Sequence, residues 1–159
     1  MDLTGRTPGY RGAAIRCPGC AESMTQHALE ECEVDVCTAC GGIWVDWFDG
    51  EVRKVTADAL RAGPPAPPIE RPSRNEALAS GACPRCTRQL APDRYAVEGR
   101  PTTAELLRCA DCLGVFVSKS ASEVLASLEA GAPPPPPPGA DPGAWQRLVA
   151  VLKRLLGIG

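Results

Sequence analysis

The chain of 159 residues is poor in large side chains: aromatic residues make up 4% of it, and it contains one histidine, His27. So few aromatic residues leave too little material for one large hydrophobic core. A single histidine gives almost no support to histidine-based nucleophilic or acid–base catalysis. We therefore expect a protein that is not an enzyme, has no small-molecule substrate, and is held together by something other than a large core.

The chain also lacks long apolar runs. None reaches the roughly 18 residues that span a bilayer, and the first residues show no apolar stretch of a signal peptide. We therefore expect a cytoplasmic location, in which thiols stay reduced. The cysteines number nine, and an odd count favours metal binding over a set of disulfides.

Eight of these cysteines form four Cys-x-x-Cys pairs, arranged as two copies of one pattern. Two residues between cysteines let both sulfur atoms point at one ion about 2.3 Å away. Four thiolates fill a tetrahedral zinc site and leave no position open for water, so each site is expected to be structural. Spacing alone does not separate zinc from rubredoxin-type iron. We predict two zinc ions per chain, one held by Cys17, Cys20, Cys37 and Cys40 and the other by Cys83, Cys86, Cys109 and Cys112.

The residues around each second pair repeat as well. A β-prone run follows it in both copies, Ile43–Val45 and Val115–Val117. Glycine within two residues after the pair suits a left-handed backbone or a close approach, and this applies to Gly41, Gly42 and Gly114. A short helix should come next; in the second copy Ser120 and Glu123 are spaced as a capping box.

The first copy resembles the small bacterial zinc-ribbon domain of transcription-factor-IIB type. It shares Cys-Pro-x-Cys at 17–20, Cys-x-x-Cys-Gly-Gly-Ile-Trp at 37–44 and Gly-Glu-Val at 50–52. It departs at 47–49, where the family has about one residue before the Gly-Glu pair. The second copy, 83–125, resembles the family loosely, with Phe116 in place of Trp and Ser118 in place of Asp. The resemblance implies a ribbon fold and zinc in both copies, whereas a fold does not fix a function.

The predicted fold class is small, metal-stabilised, β-rich α+β: two tandem zinc ribbons, each a knuckle, hairpin and knuckle followed by a short helix, plus a C-terminal amphipathic helix. Proline-rich stretches divide the chain, and we expect the two zinc modules to have separate cores. The run of six prolines from Pro133 favours a semi-rigid spacer, with a ligand for a proline-binding domain as the alternative. The predicted segments are a flexible lead (1–13), zinc ribbon 1 (14–60), a linker (61–80), zinc ribbon 2 (81–130), a polyproline linker (131–142) and the amphipathic helix (143–159).

Apolar residues of the C-terminal segment fall on one arc of a helical wheel over 143–157. That face needs a surface, which can be the zinc modules, a second copy, a groove on a partner protein or an anionic membrane. A second cluster of aromatic residues follows the second cysteine pair; there we expect Trp44 to be partly buried and its neighbours to be contact candidates. The predicted partner-binding residues are Trp47, Phe48, Trp145, Leu148, Leu152 and Leu155.

Charge bears on the class of partner. Residues 1–60 carry five Arg/Lys and ten Asp/Glu, a net charge of −5, and thiolate-rich centres add to it. Such a surface repels phosphate backbones, so nucleic acid is an unlikely partner. The sequence favours a non-enzymatic zinc-binding adaptor or scaffold that binds another protein. The alternatives are a transcription-associated nucleic-acid-binding factor and a thiol- or zinc-based redox or chaperone-like protein.

Two residues outside the pattern remain. Cys32, the ninth cysteine, is expected to be an ordinary hairpin residue, with a redox sensor or alternative ligand as the other interpretation. His27 is expected to lie exposed in a polar loop, because the eight cysteines already supply both ligand sets.

Overall fold

The computed structural model describes residues 11–65 and 81–131, together with Gly143, Arg147 and Val151. We call residues 11–65 the first half and 81–131 the second half. Eight elements lie in these two ranges, in chain order β1 (Thr25–Ala28), β2 (Glu33–Val36), β3 (Ile43–Val45), α1 (Val52–Ala62), β4 (Ala91–Ala96), β5 (Thr103–Arg108), β6 (Val115–Val117) and α2 (Lys119–Glu129). The predicted β-rich α+β class is confirmed.

All six strands belong to one antiparallel sheet, in the order β1-β2-β3-β6-β5-β4. The central pair is β3 and β6, in which Trp44 lies opposite Phe116 and Ile43 lies opposite Val117. Because the order of the second half mirrors that of the first, a pseudo-twofold axis passes through the pairing of Trp44 with Phe116. The two halves therefore resemble a homodimer joined within one chain.

The two faces of the central strands have different neighbours, since successive side chains on a strand point in opposite directions. Residues of both halves form one apolar cluster between the sheet and the two helices, including Ile43, Val117, Val55 and Leu125. Trp44 and Phe116 belong to a second cluster that also contains cysteines of both copies. Helices thus cover one face of the sheet and the metal ligands lie on the other.

The expectation of separate cores is wrong. β3 pairs with β6, and α1 packs against α2. Arg53 of α1 and Glu129 of α2 form an ion pair at 2.7 Å between Nε and Oε2. A proline-rich linker shows that two segments are tethered, but it does not show whether their apolar faces meet.

Both helices have side-chain caps at their first turns. Glu51 caps α1, accepting hydrogen bonds from the backbone N–H groups of Arg53 and Lys54 at 3.2 and 3.0 Å. Ser118 caps α2, with Oγ accepting from the N–H of Ala121 at 3.2 Å. The predicted box at Ser120 and Glu123 is therefore wrong by two residues, because Ser118 alone separates β6 from α2 whereas six residues separate β3 from α1.

Other expectations meet mixed outcomes. His27 lies in β1, half-buried, with Nε2 out of contact with solvent, so the expectation of an exposed loop residue is wrong. Cys32 lies in the turn between β1 and β2 and packs against the helix-side cluster, as an ordinary hairpin residue would. In the described part of the predicted lead, Arg11 is held by an ion pair with Asp49. The linker residues 66–80 and 132–142 lie outside the described ranges.

Among the helices of the described ranges, none combines the length and apolarity needed to cross a bilayer.

Candidate metal centres

Four cysteines of the first half converge to form the first centre. The Sγ atoms of Cys17, Cys20, Cys37 and Cys40 all lie within 4.8 Å of one another. Two sulfur pairs across the centre are separated by 3.5 Å (Cys17 to Cys40) and 3.4 Å (Cys20 to Cys37). Tetrahedral sulfur atoms around zinc at about 2.3 Å lie roughly 3.8 Å apart. The arrangement therefore fits one tetrahedral ion with a small outward adjustment of the sulfurs.

The second centre repeats this arrangement in the second half. The Sγ atoms of Cys83, Cys86, Cys109 and Cys112 also lie within 4.8 Å of one another, with 3.5 Å between Cys86 and Cys109. In each centre the first cysteine of each pair is buried, and the second is more accessible. The two predicted ligand sets are thus brought together as predicted, and two zinc ions fit the chain.

One tight turn recurs at all four cysteine pairs. The residue after each pair donates its backbone N–H to the carbonyl of the pair's first cysteine, at 2.8–3.0 Å. That residue has a positive φ in every case, and three of the four are not glycine. The four residues are Ala21 (φ 62°), Gly41 (75°), Thr87 (65°) and Leu113 (59°). Left-handed backbone costs an L-residue about 1–2 kcal/mol, so the ligand geometry imposes the turn.

Backbone N–H groups also point at sulfur. Gly19 donates to Cys17 Sγ at 3.3 Å, and Cys112 donates to Cys109 Sγ at 3.4 Å. Such bonds stabilise a thiolate, whereas burial disfavours it. Burial raises the pKa of Cys17 and Cys83, and it raises the pKa of Cys112 to about 12. A cation is needed to hold these sulfurs as thiolates at neutral pH, and its binding would displace protons.

The sequence left two roles open for the glycines at these centres: turn formation and close packing. Gly114, predicted as a site of left-handed backbone or of a close approach, is not among the positive-φ residues; Leu113 takes that position. A Cβ at Gly114 would overlap the ring of Trp44, and a Cβ at Gly42 would lie 2.6 Å from the ring of Phe116. Each central aromatic side chain therefore lies across the ligand turn of the opposite half. Trp44 is fully buried, not partly buried as expected.

Arg85 is a buried charge that sequence reasoning missed. It occupies the third position of the first pair in the second centre, and its side chain is 1% exposed. Its Nη2 lies 2.7 Å from Asp35 Oδ2 and 2.8 Å from Asp46 Oδ2, two carboxylates of the first half. Asp46 Oδ1 also accepts from Trp44 Nε1 at 2.8 Å. The sequence feature that could have pointed to Arg85 is the acidic excess of the first half, which a buried cation of the second half offsets.

The loop between β3 and α1 has a second ion cluster. Arg11 Nη2 lies 2.6 Å from Asp49 Oδ2 and 3.1 Å from Asp46 Oδ2. Asp49 Oδ2 accepts from the backbone N–H of Asp46 at 2.8 Å, which closes the loop on itself. Burial raises the pKa of Asp49 to about 6, despite the opposing attraction of Arg11. Asp49, one of the three residues between Asp46 and Gly50, thereby holds the start of the described chain.

The predicted partner-binding residues differ in accessibility. Trp47 is 63% exposed and meets Phe48 edge-on, with ring centroids 5.5 Å apart. Phe48 is half-buried and has the Arg11 guanidinium 5.3 Å from its ring centroid. Trp145, Leu148, Leu152 and Leu155 lie outside the described residues. Of the predicted helix, Gly143, Arg147 and Val151 are described, and all three are helical.

The exposed Trp47 borders a groove between the halves. We call this feature, with a volume of about 410 Å³, the Trp47 groove. Leu113 of the second centre's last turn forms another part of its wall and is 53% exposed. The remaining lining residues are Val45, Asp46, Gly50, Glu51, Val52, Tyr95, Arg108 and Val115.

Comparison with known proteins supports the assignment of the first half. The family model described as transcription factor zinc-finger matches residues 16–51. Neither a curated protein nor a solved structure matches the chain. The matched segment contains the four ligands of the first centre and ends at Glu51, the cap of α1. Residues 16–51 thus match the zinc ribbon of the transcription factor zinc-finger family, and the cysteine cluster of the second half fits a second, divergent copy of it.

Proposed function

We propose that this protein is a non-enzymatic adaptor, in which two fused zinc ribbons form a rigid body that binds another protein. The observation that carries the proposal is the Trp47 groove. An indole that is 63% exposed and a leucine that is 53% exposed line the same groove. Exposed tryptophan on a rigid surface is typical of binding hot spots.

The metal centres themselves support a structural role. Each has four sulfur donors, which completes a zinc coordination sphere and leaves no position for a substrate or an activated water. The two centres also belong to the apolar cluster under the sheet. We propose on this basis that zinc maintains the binding body and performs no reaction.

The distribution of charge favours a protein partner over nucleic acid. Five exposed or half-exposed basic side chains of the two halves lie against carboxylates: Lys54, Arg61, Arg88, Arg94 and Arg108. Nucleic-acid affinity depends on basic groups that are available to phosphates. Paired cations on a chain of net charge −2 supply few of these.

The C-terminal segment is proposed as a second contact. Val151, one of the apolar-arc residues, is 54% exposed. This exposure of Val151 favours a groove on a partner protein over packing on the ribbons. We propose that this helix docks on the same partner as the Trp47 groove. Two weak contacts on one chain would then together give one specific interaction.

Partner recovery from cells, with proteins identified by mass spectrometry, tests the adaptor role. A partner that full-length protein recovers should be lost with Trp47→Ala, because truncation removes the hot spot and should lower affinity at least tenfold. Leu60→Ala is the matched control, since Leu60 is an exposed apolar residue, 42% accessible, in a different groove. Binding of the purified partner should then reproduce the difference between the two variants.

The tail is tested by the same assay. Leu148→Asp with Leu152→Asp should weaken recovery, whereas Gln146→Asp with Ala150→Asp adds the same charge on the polar arc and should not. Vesicles containing anionic lipid provide the competing outcome. If vesicle binding follows the first pair of changes while partner recovery does not, the tail contacts a membrane and its proposed docking on a protein is wrong.

Nucleic-acid binding is tested by mobility shift over a salt series. Tight binding that weakens steeply with salt would contradict the proposed adaptor role. Reduction of insulin, or rapid titration of thiols in the zinc-loaded protein, would favour the redox alternative instead.

A further inference from the structure

Four connections join the two metal centres, and each links a ligand turn of one half to the other half. The first is Arg85, whose backbone N–H donates to Cys83 Sγ at 3.4 Å. Its guanidinium holds Asp35 and Asp46 at 2.7 and 2.8 Å. Asp35 lies in β2, two residues before the ligand Cys37. A single buried side chain thus spans from the second centre to the strands that present ligands of the first.

The second and third connections are the exchanged aromatic side chains. The Phe116 ring lies against both ligand turns of the first centre, 3.0 Å from a Cβ placed at Gly19 and 2.6 Å from one at Gly42. Trp44 in turn lies on Gly114 of the second centre. Both rings share one apolar cluster with ligands from both centres. Neither ligand turn can therefore shift without displacing a ring that belongs to the opposite half.

The fourth connection is a backbone hydrogen bond. Gly81, just before the second centre, donates its N–H to the carbonyl of Pro18 at 2.8 Å. Pro18 lies inside the first ligand turn of the first centre. The segments that carry the two first cysteine pairs are therefore held together directly.

We propose that the two metal centres are coupled through Arg85 and the Trp44–Phe116 pair, so that zinc at one centre raises the affinity of the other. Without its ion, the two ligand turns of a centre are no longer joined to each other through their four sulfurs. Loosening of that turn removes the support of the opposite aromatic ring or of the Arg85 ion cluster. Coupling free energies are reciprocal, so each centre must raise the affinity of the other by the same factor.

A thermodynamic cycle measures that factor in the full-length protein. Zinc binding is followed by competition with a chromophoric chelator. Cys37→Ser with Cys40→Ser leaves the second centre alone, and Cys109→Ser with Cys112→Ser leaves the first. The wild-type constant for binding two ions is divided by the product of the two single-centre constants. We expect a ratio of about 5–150, the usual range for coupled sites; a ratio below about 5 would overturn the proposal.

The role of Arg85 is tested by repeating the cycle in two backgrounds. Arg85→Met removes the buried ion cluster but keeps all eight ligands, and the ratio should fall at least fivefold toward one. Arg88→Met is the matched control, because Arg88 follows the same cysteine pair but is 72% exposed and pairs with Asp111 on the surface. An unchanged ratio in Arg85→Met would show that Arg85 does not carry the coupling. The wild-type cycle does not depend on how well that variant folds.

Discussion

At the scale of single residues, the contact between the halves depends on what two glycines lack. Gly114 and Gly42 have no Cβ, which lets an indole and a phenyl ring lie directly on ligand turns of the opposite half. Trp44 gains a second restraint there, because its Nε1 donates to Asp46. The ring position, the glycine and the carboxylate thus form one unit at the centre of the sheet.

Gly114→Ala should therefore destabilise the zinc-loaded protein. The added methyl group overlaps the Trp44 ring, and overpacking of this kind costs about 1–3 kcal/mol. Urea unfolding followed by tryptophan fluorescence measures the change in free energy of unfolding. Gly99→Ala sets an upper bound on the backbone cost, because no atom lies within 4 Å of its added Cβ and its φ of +75° is left-handed, whereas Gly114 is not in that region. If Gly114→Ala lowers the free energy of unfolding as much in a Trp44→Phe background as in the wild type, the clash with the indole is not the cause of the loss.

Asp49 makes the stability depend on pH in an unusual direction. Its folded pKa is raised to about 6 from an ordinary 3.8, chiefly by burial. Between these values the folded state binds more protons than the unfolded state, so its contribution to stability falls as pH rises. Relative to Asp49→Asn, which keeps an acceptor for the Asp46 N–H, the wild type should lose about 1 kcal/mol between pH 5 and 7. NMR titration of the Asp49 carboxyl should give a midpoint near 6; an ordinary midpoint would contradict the prediction.

At the scale of elements, the two copies differ most in the connection from central strand to helix. In the first half the chain runs from Val45 through six residues to α1, and Glu51 caps the helix. In the second half Ser118 alone separates β6 from α2 and is itself the cap. The longer connection carries Trp47 and Asp49, so the exposed indole and the Arg11 contact both follow from this extension.

The identity of the α2 cap gives a direct test. Ser118→Ala should lower the free energy of unfolding by about 1 kcal/mol, because it leaves the N–H of Ala121 without its acceptor. Ser120→Ala, two residues on, should stay within about 0.5 kcal/mol of the wild type. Larger destabilisation by Ser120→Ala than by Ser118→Ala would show that Ser120 caps the helix, as the sequence pattern indicated, and that Ser118 does not.

These elements also show what sequence reasoning can reach. The metal ligands were predictable because four cysteine pairs in two similar copies are typical of four-sulfur metal sites, whichever metal fills them, and β3, β6 and α1 followed from apolar patterning beside them. The pairing of β3 with β6 was not predictable from the sequence, because a three-residue apolar strand such as Val115–Val117 does not indicate which strand lies next to it. Arg85 was missed for a related reason: a charge inside a ligand turn looks solvent-exposed until its partners, Asp35 and Asp46, are placed by the tertiary fold.

At the scale of the whole molecule, the shared sheet means that neither half has a complete core of its own. β3 has β2 on one side and β6 of the other half on the opposite side, and α1 buries its apolar residues together with α2. Removing either half would expose the inner edge of the sheet and one side of the remaining helix. A linker rich in proline can therefore join two copies that fold as one body.

Native-state hydrogen exchange should show this directly in the zinc-loaded protein. Amides of β3 and β6 should exchange with the same free energy, close to that of global unfolding, since they hydrogen-bond to each other at the centre of the sheet. Amides of the edge strands β1 and β4 should open at lower free energy. In Cys109→Ser, whose damaged ligand set lies in the second half, protection should fall in β2 and α1 as well as in β5 and α2. Retained protection of β2 and α1 in that variant would show that the first half is stable by itself, and the single-body interpretation would be wrong.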